Sequence, residues 1–163
     1  MIFLTVGTQF PFDRLVRAVD DALDKIAIGE EVFGQIGAGS YRPRNFTAVN
    51  ELEKHVYDQH VRRASGLISH AGMGTITMAL DHSKPLLVMP RLKKHGEVVN
   101  DHQVAIAGRF AESGHLLVAY GPDDLAVEIC KLKSFVPRPR QRQTDQVARR
   151  IERFLAESGF DKI

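Results

Sequence analysis

Short apolar runs alternate with amphipathic segments along this chain, and that alternation restricts the fold more than any other feature. Residues 2–6, 32–36, 46–49, 67–69, 85–90 and 116–119 are too short for stable helices and read as strands. Between them, residues 12–25, 51–64, 75–82, 100–112 and 123–131 place apolar side chains at helical spacing, as Phe12, Leu15, Val16, Val19, Leu23 and Ile26 do. A chain that alternates this way builds an α/β fold, an open and mainly parallel sheet with helices on both faces. Pro85-Leu-Leu-Val-Met-Pro90 is apolar throughout, as a central strand covered on both faces requires. Asn50 and Asn100 are the expected caps of the helices that follow them.

The stretch Gly66-Leu-Ile-Ser-His-Ala-Gly-Met-Gly-Thr-Ile-Thr-Met-Ala-Leu80 carries the chemistry. It reads as a strand running into a glycine-bearing turn that opens a helix. Gly72 and Gly74 let the backbone turn tightly and expose its N–H groups, and Thr75 and Thr77 add hydroxyls. Unpaired amides and the helix dipole favour an anion at such a point, so the segment is a phosphate seat. The alternative is a strand-to-helix turn whose glycines serve geometry alone.

In an open parallel sheet ligands bind beyond the C-terminal strand ends. The loops there are 7–10, 37–41, 69–75 and 91–102, all glycine-rich, polar or basic. The dinucleotide fingerprint is absent after the first strand, where Gly7-Thr-Gln-Phe10 lacks its glycines, and no Walker lysine follows a glycine loop. A second constellation, Gly96-Glu-Val-Val-Asn-Asp-His-Gln103, groups Asn100, Asp101, His102 and Gln103 at one helix start. Carboxylate, imidazole and amide together can read sugar hydroxyls, with Glu97 on the loop before them; the alternative is a helix-dipole aspartate beside an exposed histidine. His70, His95 and His102 lie on separate loops without ligand spacing, so no metal site is expected.

At 163 residues the chain is one domain by size, and a net charge of +2 argues for no nucleic-acid partner. The lone Cys130 excludes an internal disulfide and reads as a packing residue. No apolar run approaches the roughly 20 residues of a membrane span, and the start lacks a basic leader. A cytoplasmic protein is expected, with any membrane role peripheral. The boundaries expected are a ligand-binding Rossmann-like domain at 1–134, a Pro/Arg-rich linker at 135–143 and a terminal helix at 144–163. The helix stripe Val147, Ile151, Phe154 and Leu155 is expected to pack on the domain's own sheet, the alternative being a partner helix. Arg138, Arg140, Arg142, Arg149, Arg150 and Arg153 form a basic stretch that docks a partner or anionic lipid or is a solvated face, and Arg91, Lys93, Lys94 and His95 form a basic loop that steers an anion or is simply exposed.

Ser69-His-Ala-Gly-Met-Gly-Thr75, Lys84-Pro-Leu-Leu-Val-Met-Pro90 and Asn100-Asp-His-Gln103 resemble the donor-binding C-terminal half of MurG-type, family 28 glycosyltransferases. Phe3-Leu-Thr-Val-Gly-Thr-Gln-Phe-Pro-Phe-Asp-Arg-Leu15 is similar to the small stand-alone members, the soluble subunit of the dolichol-linked N-acetylglucosaminyltransferase and the PssE-like proteins of exopolysaccharide synthesis. The likeness runs in order to about Lys131.

It implies the C-terminal, Rossmann-like half of a GT-B fold. Gly72, Met73, Gly74 and Thr75 would hold the donor diphosphate, with His70 stabilising the leaving group. His102 and Gln103 would contact the donor sugar, Gly7, Thr8, Asn100 and Asp101 would add contacts, and the segment 46–50 would lie by the uracil. The glutamate that family members carry for the ribose hydroxyls is Met78 here. The resemblance further implies a UDP-sugar substrate, no cofactor or metal, and a membrane-anchored partner subunit that supplies the base and the lipid-diphosphate-linked acceptor site. The complex would invert the anomeric carbon at the inner face of the membrane. A non-catalytic nucleotide-sugar-binding or partner-binding regulator is the alternative.

Overall fold

The computed structural model describes residues 1–140 and 144–158. Six parallel strands form one open sheet: β1 (Ile2–Thr5), β2 (Val32–Gln35), β3 (Thr47–Val49), β4 (Gly66–His70), β5 (Leu86–Met89) and β6 (Leu117–Val118). Their order is β3-β2-β1-β4-β5-β6. The chain winds outward from β1 in one direction, then returns to β1's other side and winds the opposite way. β1 and β4 are therefore neighbours at the point where the winding reverses, with Thr5 level with Ser69. The loops leaving these two strands diverge to opposite faces and leave a crevice between them.

Strand alternation divides the core into two layers. Leu4, Ile68, Leu87 and Met89 pack with α1 (Asp13–Leu23) and α5 (Leu125–Leu132) through Leu15, Val16, Ile129 and Leu132. Phe3, Leu67, Leu86 and Val88 pack with α2 (Lys54–Arg63), α3 (Met73–Asp81) and α4 (His102–Glu112) through Val61, Ile76, Ala79 and Ala107. Both faces are covered, which is why the strands are apolar runs.

Four expectations from sequence change. Asn50 does not cap α2, which begins at Lys54 after an extended Glu53; the Asn50 carbonyl accepts the Gly37 N–H at 2.9 Å. Asn100 is not the N-cap of α4 either; that position is Asp101. Cys130 is exposed, because Leu125, Ile129 and Leu132 take the inward face of α5 and Cys130 follows Ile129 by about 100° of helix turn. The stripe on α6 (Thr144–Glu157) does not pack on the sheet: Val147, Ile151, Phe154 and Leu155 are all exposed, Phe154 by 64%. Part of the expected linker folds back, since Arg138 N–H donates to the Gly114 carbonyl at 2.9 Å and the Arg138 carbonyl lies 2.8 Å from His115 Nδ1. Arg142 and the end of the expected terminal helix, residues 159–163, lie outside the described residues. No helix among the described residues is long and apolar enough to cross a membrane.

Candidate functional site: a cleft at the switch point

A cleft of about 690 Å³ opens above the C-terminal ends of β1, β4 and β5. Its walls are the β1–α1 loop (Gly7, Thr8, Gln9, Phe10), the β4–α3 turn (His70, Gly72, Met73, Gly74, Thr75) and the β5–α4 loop (Arg91, Gly96 to Asn100, then His102 and Gln103). Of the site residues expected from sequence, Thr77 and Asp101 do not line it. That carboxylate faces away and accepts the Lys93 N–H at 2.7 Å. The segment 46–50 also stays outside the cleft lining, and Phe46 is in the core.

The two glycines of the β4–α3 turn have different reasons to be glycine. Neither uses positive φ; Gly72 is extended at φ −87°, ψ 137°. Of the two reasons expected from sequence, a tight turn and uncovered N–H groups, a left-handed turn conformation is therefore not what selects them. A Cβ on Gly72 would lie 2.3 Å from His70 Nε2, so Gly72 makes room for the imidazole. A Cβ on Gly74 would meet nothing within 4 Å, so the protein itself sets no steric demand there. What remains bare at Gly74 is the N-terminal turn of α3, whose first amides have no partner in the helix.

His70 sits between Gly72 and Gly7, whose φ of +79° lets the β1–α1 loop pass over the ring; a Cβ on Gly7 would touch Cε1 at 3.0 Å. Ser69 Oγ donates to the Thr5 carbonyl at 2.5 Å and lies 3.1 Å from His70 Nδ1. With the hydroxyl proton committed to Thr5, Nδ1 carries the imidazole proton and Nε2 keeps a lone pair. Burial, helped by the nearby Arg91 charge, pushes the His70 pKa down to about 4. The ring is thus neutral at pH 7.

His102 and Gln103 are oriented by neighbours. Asn100 Oδ1 accepts from the His102 backbone N–H at 3.2 Å and lies 2.5 Å from His102 Nδ1. An amide oxygen only accepts, so His102 Nδ1 donates and its Nε2 is left as an acceptor. Gln103, buried, accepts the Arg91 N–H through Oε1 at 3.1 Å, which leaves its NH2 as the free end. One acceptor and one donor on adjacent residues match a pair of sugar hydroxyls, each of which can donate and accept.

Arg14 and Glu97 brace the far wall. Glu97 accepts from Arg14 Nε and Nη2, both at 2.8 Å, and from the Leu92 N–H at 2.8 Å. Burial alone raises a carboxyl pKa, but the Arg14 hydrogen bonds and the Leu92 N–H outweigh it and hold Glu97 below the usual range. Glu97 is therefore a fixed anion with both oxygens engaged.

Arg91 does not belong to an exposed basic loop as expected; it is buried at 3% exposure, whereas Lys93, Lys94 and His95 are exposed. Gln9, Phe10, Val98 and Val99 also line the cleft; they lie in the loops 7–10 and 91–102 expected at the ligand-binding edge, although none was singled out as a contact residue.

The profile of the "Glycosyltransferase family 28 C-terminal domain" matches residues 1–157. The chain belongs to this family. Curated relatives named "UDP-N-acetylglucosamine transferase subunit ALG13" are 34% identical over 124 residues in Homo sapiens and 32% over 124 residues in Mus musculus. The human alignment covers 71% of this chain and 10% of that protein, so this chain spans about a tenth of the curated relatives it matches. The NMR structure of ALG13 aligns at TM-score 0.59 and 18% identity, covering 92% of this chain and 93% of that one. MurG of Acinetobacter baumannii aligns at TM-score 0.58 and 19% identity, covering 83% of this chain and 45% of that one. At these identities the structures show the fold. The family 28 chain has the α/β architecture found within GT-B glycosyltransferases.

Proposed function

We propose that this chain is the donor-binding subunit of a two-component, inverting glycosyltransferase that takes a UDP-sugar. The observation that carries the reading is Gly74, a cleft-lining residue whose missing side chain no protein contact requires. A diphosphate on the α3 N-terminus uses that open space. The amides of the first turn and the helix dipole then stabilise the charge that develops on the departing UDP. His70 Nε2 borders the same turn, and an anion there favours its protonated form, which donates a hydrogen bond to the leaving group. His102 and Gln103 hold the sugar. The name carried by the curated relatives, a UDP-N-acetylglucosamine transferase subunit, supports a uridine nucleotide as the donor's carrier.

Glu97 is the cleft's carboxylate among the described residues, and it is fully engaged. The general base and the acceptor seat are therefore assigned to a membrane-anchored partner subunit, with a lipid-diphosphate-linked acceptor in polysaccharide synthesis. The same engaged carboxylate favours a second reading, a nucleotide-sugar-binding regulator without chemistry of its own. Calorimetric titration with UDP, ADP and a panel of UDP-sugars tests the first. Uridine-selective binding supports it, and no binding to any nucleotide refutes it. Sugar transfer on adding the co-expressed membrane subunit separates transferase from regulator.

A further inference from the structure

We propose that Arg91 is a positioning residue: its buried guanidinium holds the β1–α1 loop in place as one wall of the donor cleft. The inference rests on the reading of the cleft as a UDP-sugar site and adds how that site is kept in shape.

Arg91 Nη1 donates to the Pro11 carbonyl at 2.7 Å, and Nη2 donates to the carbonyls of Phe10 at 2.7 Å and Val6 at 2.9 Å. The guanidinium also lies over the Phe12 ring, 4.6 Å from its centroid. Three carbonyls of one seven-residue loop, residues 6–12, therefore share a single donor group. Among the described residues, the other hydrogen bond anchoring residues 7–11 is Gly7 N–H to Thr5 Oγ1, a longer contact of 3.3 Å. Thr8, Gln9 and Phe10 are exposed and contribute no core packing, so little else fixes their path.

The same residue reaches the opposite wall through its backbone, where its N–H holds Gln103 Oε1 at 3.1 Å and so turns the Gln103 NH2 outward. Arg91 thus joins the wall that faces the diphosphate seat to the residue that faces the sugar. Its rigid planar fork suits three carbonyls in divergent directions; a lysine ammonium on a flexible stem does not reproduce that geometry. No carboxylate lies within ion-pair distance of Arg91 among the described residues, so the buried cation is not there to complete a salt bridge. Burying it without one is costly unless its donors are used, and the loop carbonyls use them.

The test compares the full chain with Arg91→Met and Arg91→Lys. UDP affinity is measured by calorimetry well below each melting temperature, and 15N relaxation is measured at Thr8, Gln9 and Phe10. In wild type the three loop amides should relax as ordered backbone. In Arg91→Met their order parameters should drop toward about 0.6 or below, and UDP should bind roughly tenfold to a hundredfold more weakly, because the ligand must then order the loop itself. Arg91→Lys should fall between the two, and it decides the matter if Arg91→Met does not fold. A lower melting temperature with unchanged affinity and loop order would leave Arg91 a stability residue and overturn the proposal. So would full affinity in Arg91→Lys. Wild-type protein that binds no UDP would sink the reading of the cleft instead, while loop relaxation would still decide what Arg91 holds.

Discussion

Changing either glycine of the β4–α3 turn to alanine should move stability in opposite directions, although the two residues are separated by one position. Gly74 lies in the first turn of α3 with nothing within 4 Å of an added Cβ. Gly74→Ala removes backbone entropy from the unfolded chain and should stabilise by about 0.5–1 kcal/mol, or about 1–4 °C for a chain of this size. Gly72→Ala drives a methyl to 2.3 Å from His70 Nε2 and 2.9 Å from Cδ2, so the ring must leave its hydrogen bond with Ser69. Overpacking of this kind costs about 1–3 kcal/mol. Gly74→Asp separates stability from binding. An aspartate in the first helical turn adds roughly 0.3–1 kcal/mol to stability. It also places a carboxylate at the phosphate seat, where each unit of phosphate charge at about 5 Å repels it by about 3 kcal/mol at an effective dielectric near 20. UDP affinity should fall more than about a hundredfold, a loss above about 2.7 kcal/mol. Thermal melts and calorimetry on the three variants are sufficient. If Gly74→Ala melts as far below wild type as Gly72→Ala does, or Gly74→Asp binds UDP as tightly as wild type, the reasoning about this turn is wrong.

His70 makes stability depend on pH. Its folded pKa of about 4 lies below the unfolded value of 6.5, so the unfolded state takes up a proton first as pH falls. The stabilisation is present above pH 6.5 and lost between 6.5 and 4, up to about 3 kcal/mol; urea melts of wild type and His70→Gln should converge in slope if His70 is not the source. Asp20, 0% exposed, accepts from Tyr41 Oη at 2.6 Å and from the backbone of Arg44 and Asn45 at 3.0 and 2.7 Å. Asp20→Ala leaves these donors unmatched and should cost about 3 kcal/mol or more by chemical denaturation, with UDP affinity unchanged. Phe154→Ser, at a 64% exposed position, should change the melting free energy of the isolated chain by no more than about 0.5 kcal/mol.

Much of the fold was legible because strand and helix periods are local properties. The apolar runs at 2–6, 67–69 and 85–90 became β1, β4 and β5 almost unchanged, and each turned out buried on both faces. Helix starts were less legible. An asparagine before a helix can cap it, but Asn50 gives its carbonyl to Gly37 and α2 starts only at Lys54, while Asn100 accepts the first amide of α4 from one residue before the N-cap, Asp101. The stripe on α6 has the periodicity of a core face, yet periodicity reports only that a face is apolar, never what covers it.

The same boundary runs through the site. The order of residues along the chain determined that a glycine turn opens a helix after a strand, and that His102 and Gln103 open another. The tertiary structure alone decided that these lie across one cleft, because the sheet order places β1 beside β4 and turns the loops of three strands to one edge. It alone distinguished Gly72 from Gly74, since the difference is the presence or absence of a histidine ring. It also turned Arg91 from one cation in a basic run into the buried tie of the β1–α1 loop. Propensity and period act over a few neighbouring residues and can be read from the string. Burial and hydrogen-bond partners more than 80 residues away, such as Arg91 with Val6, exist only after the chain has closed on itself.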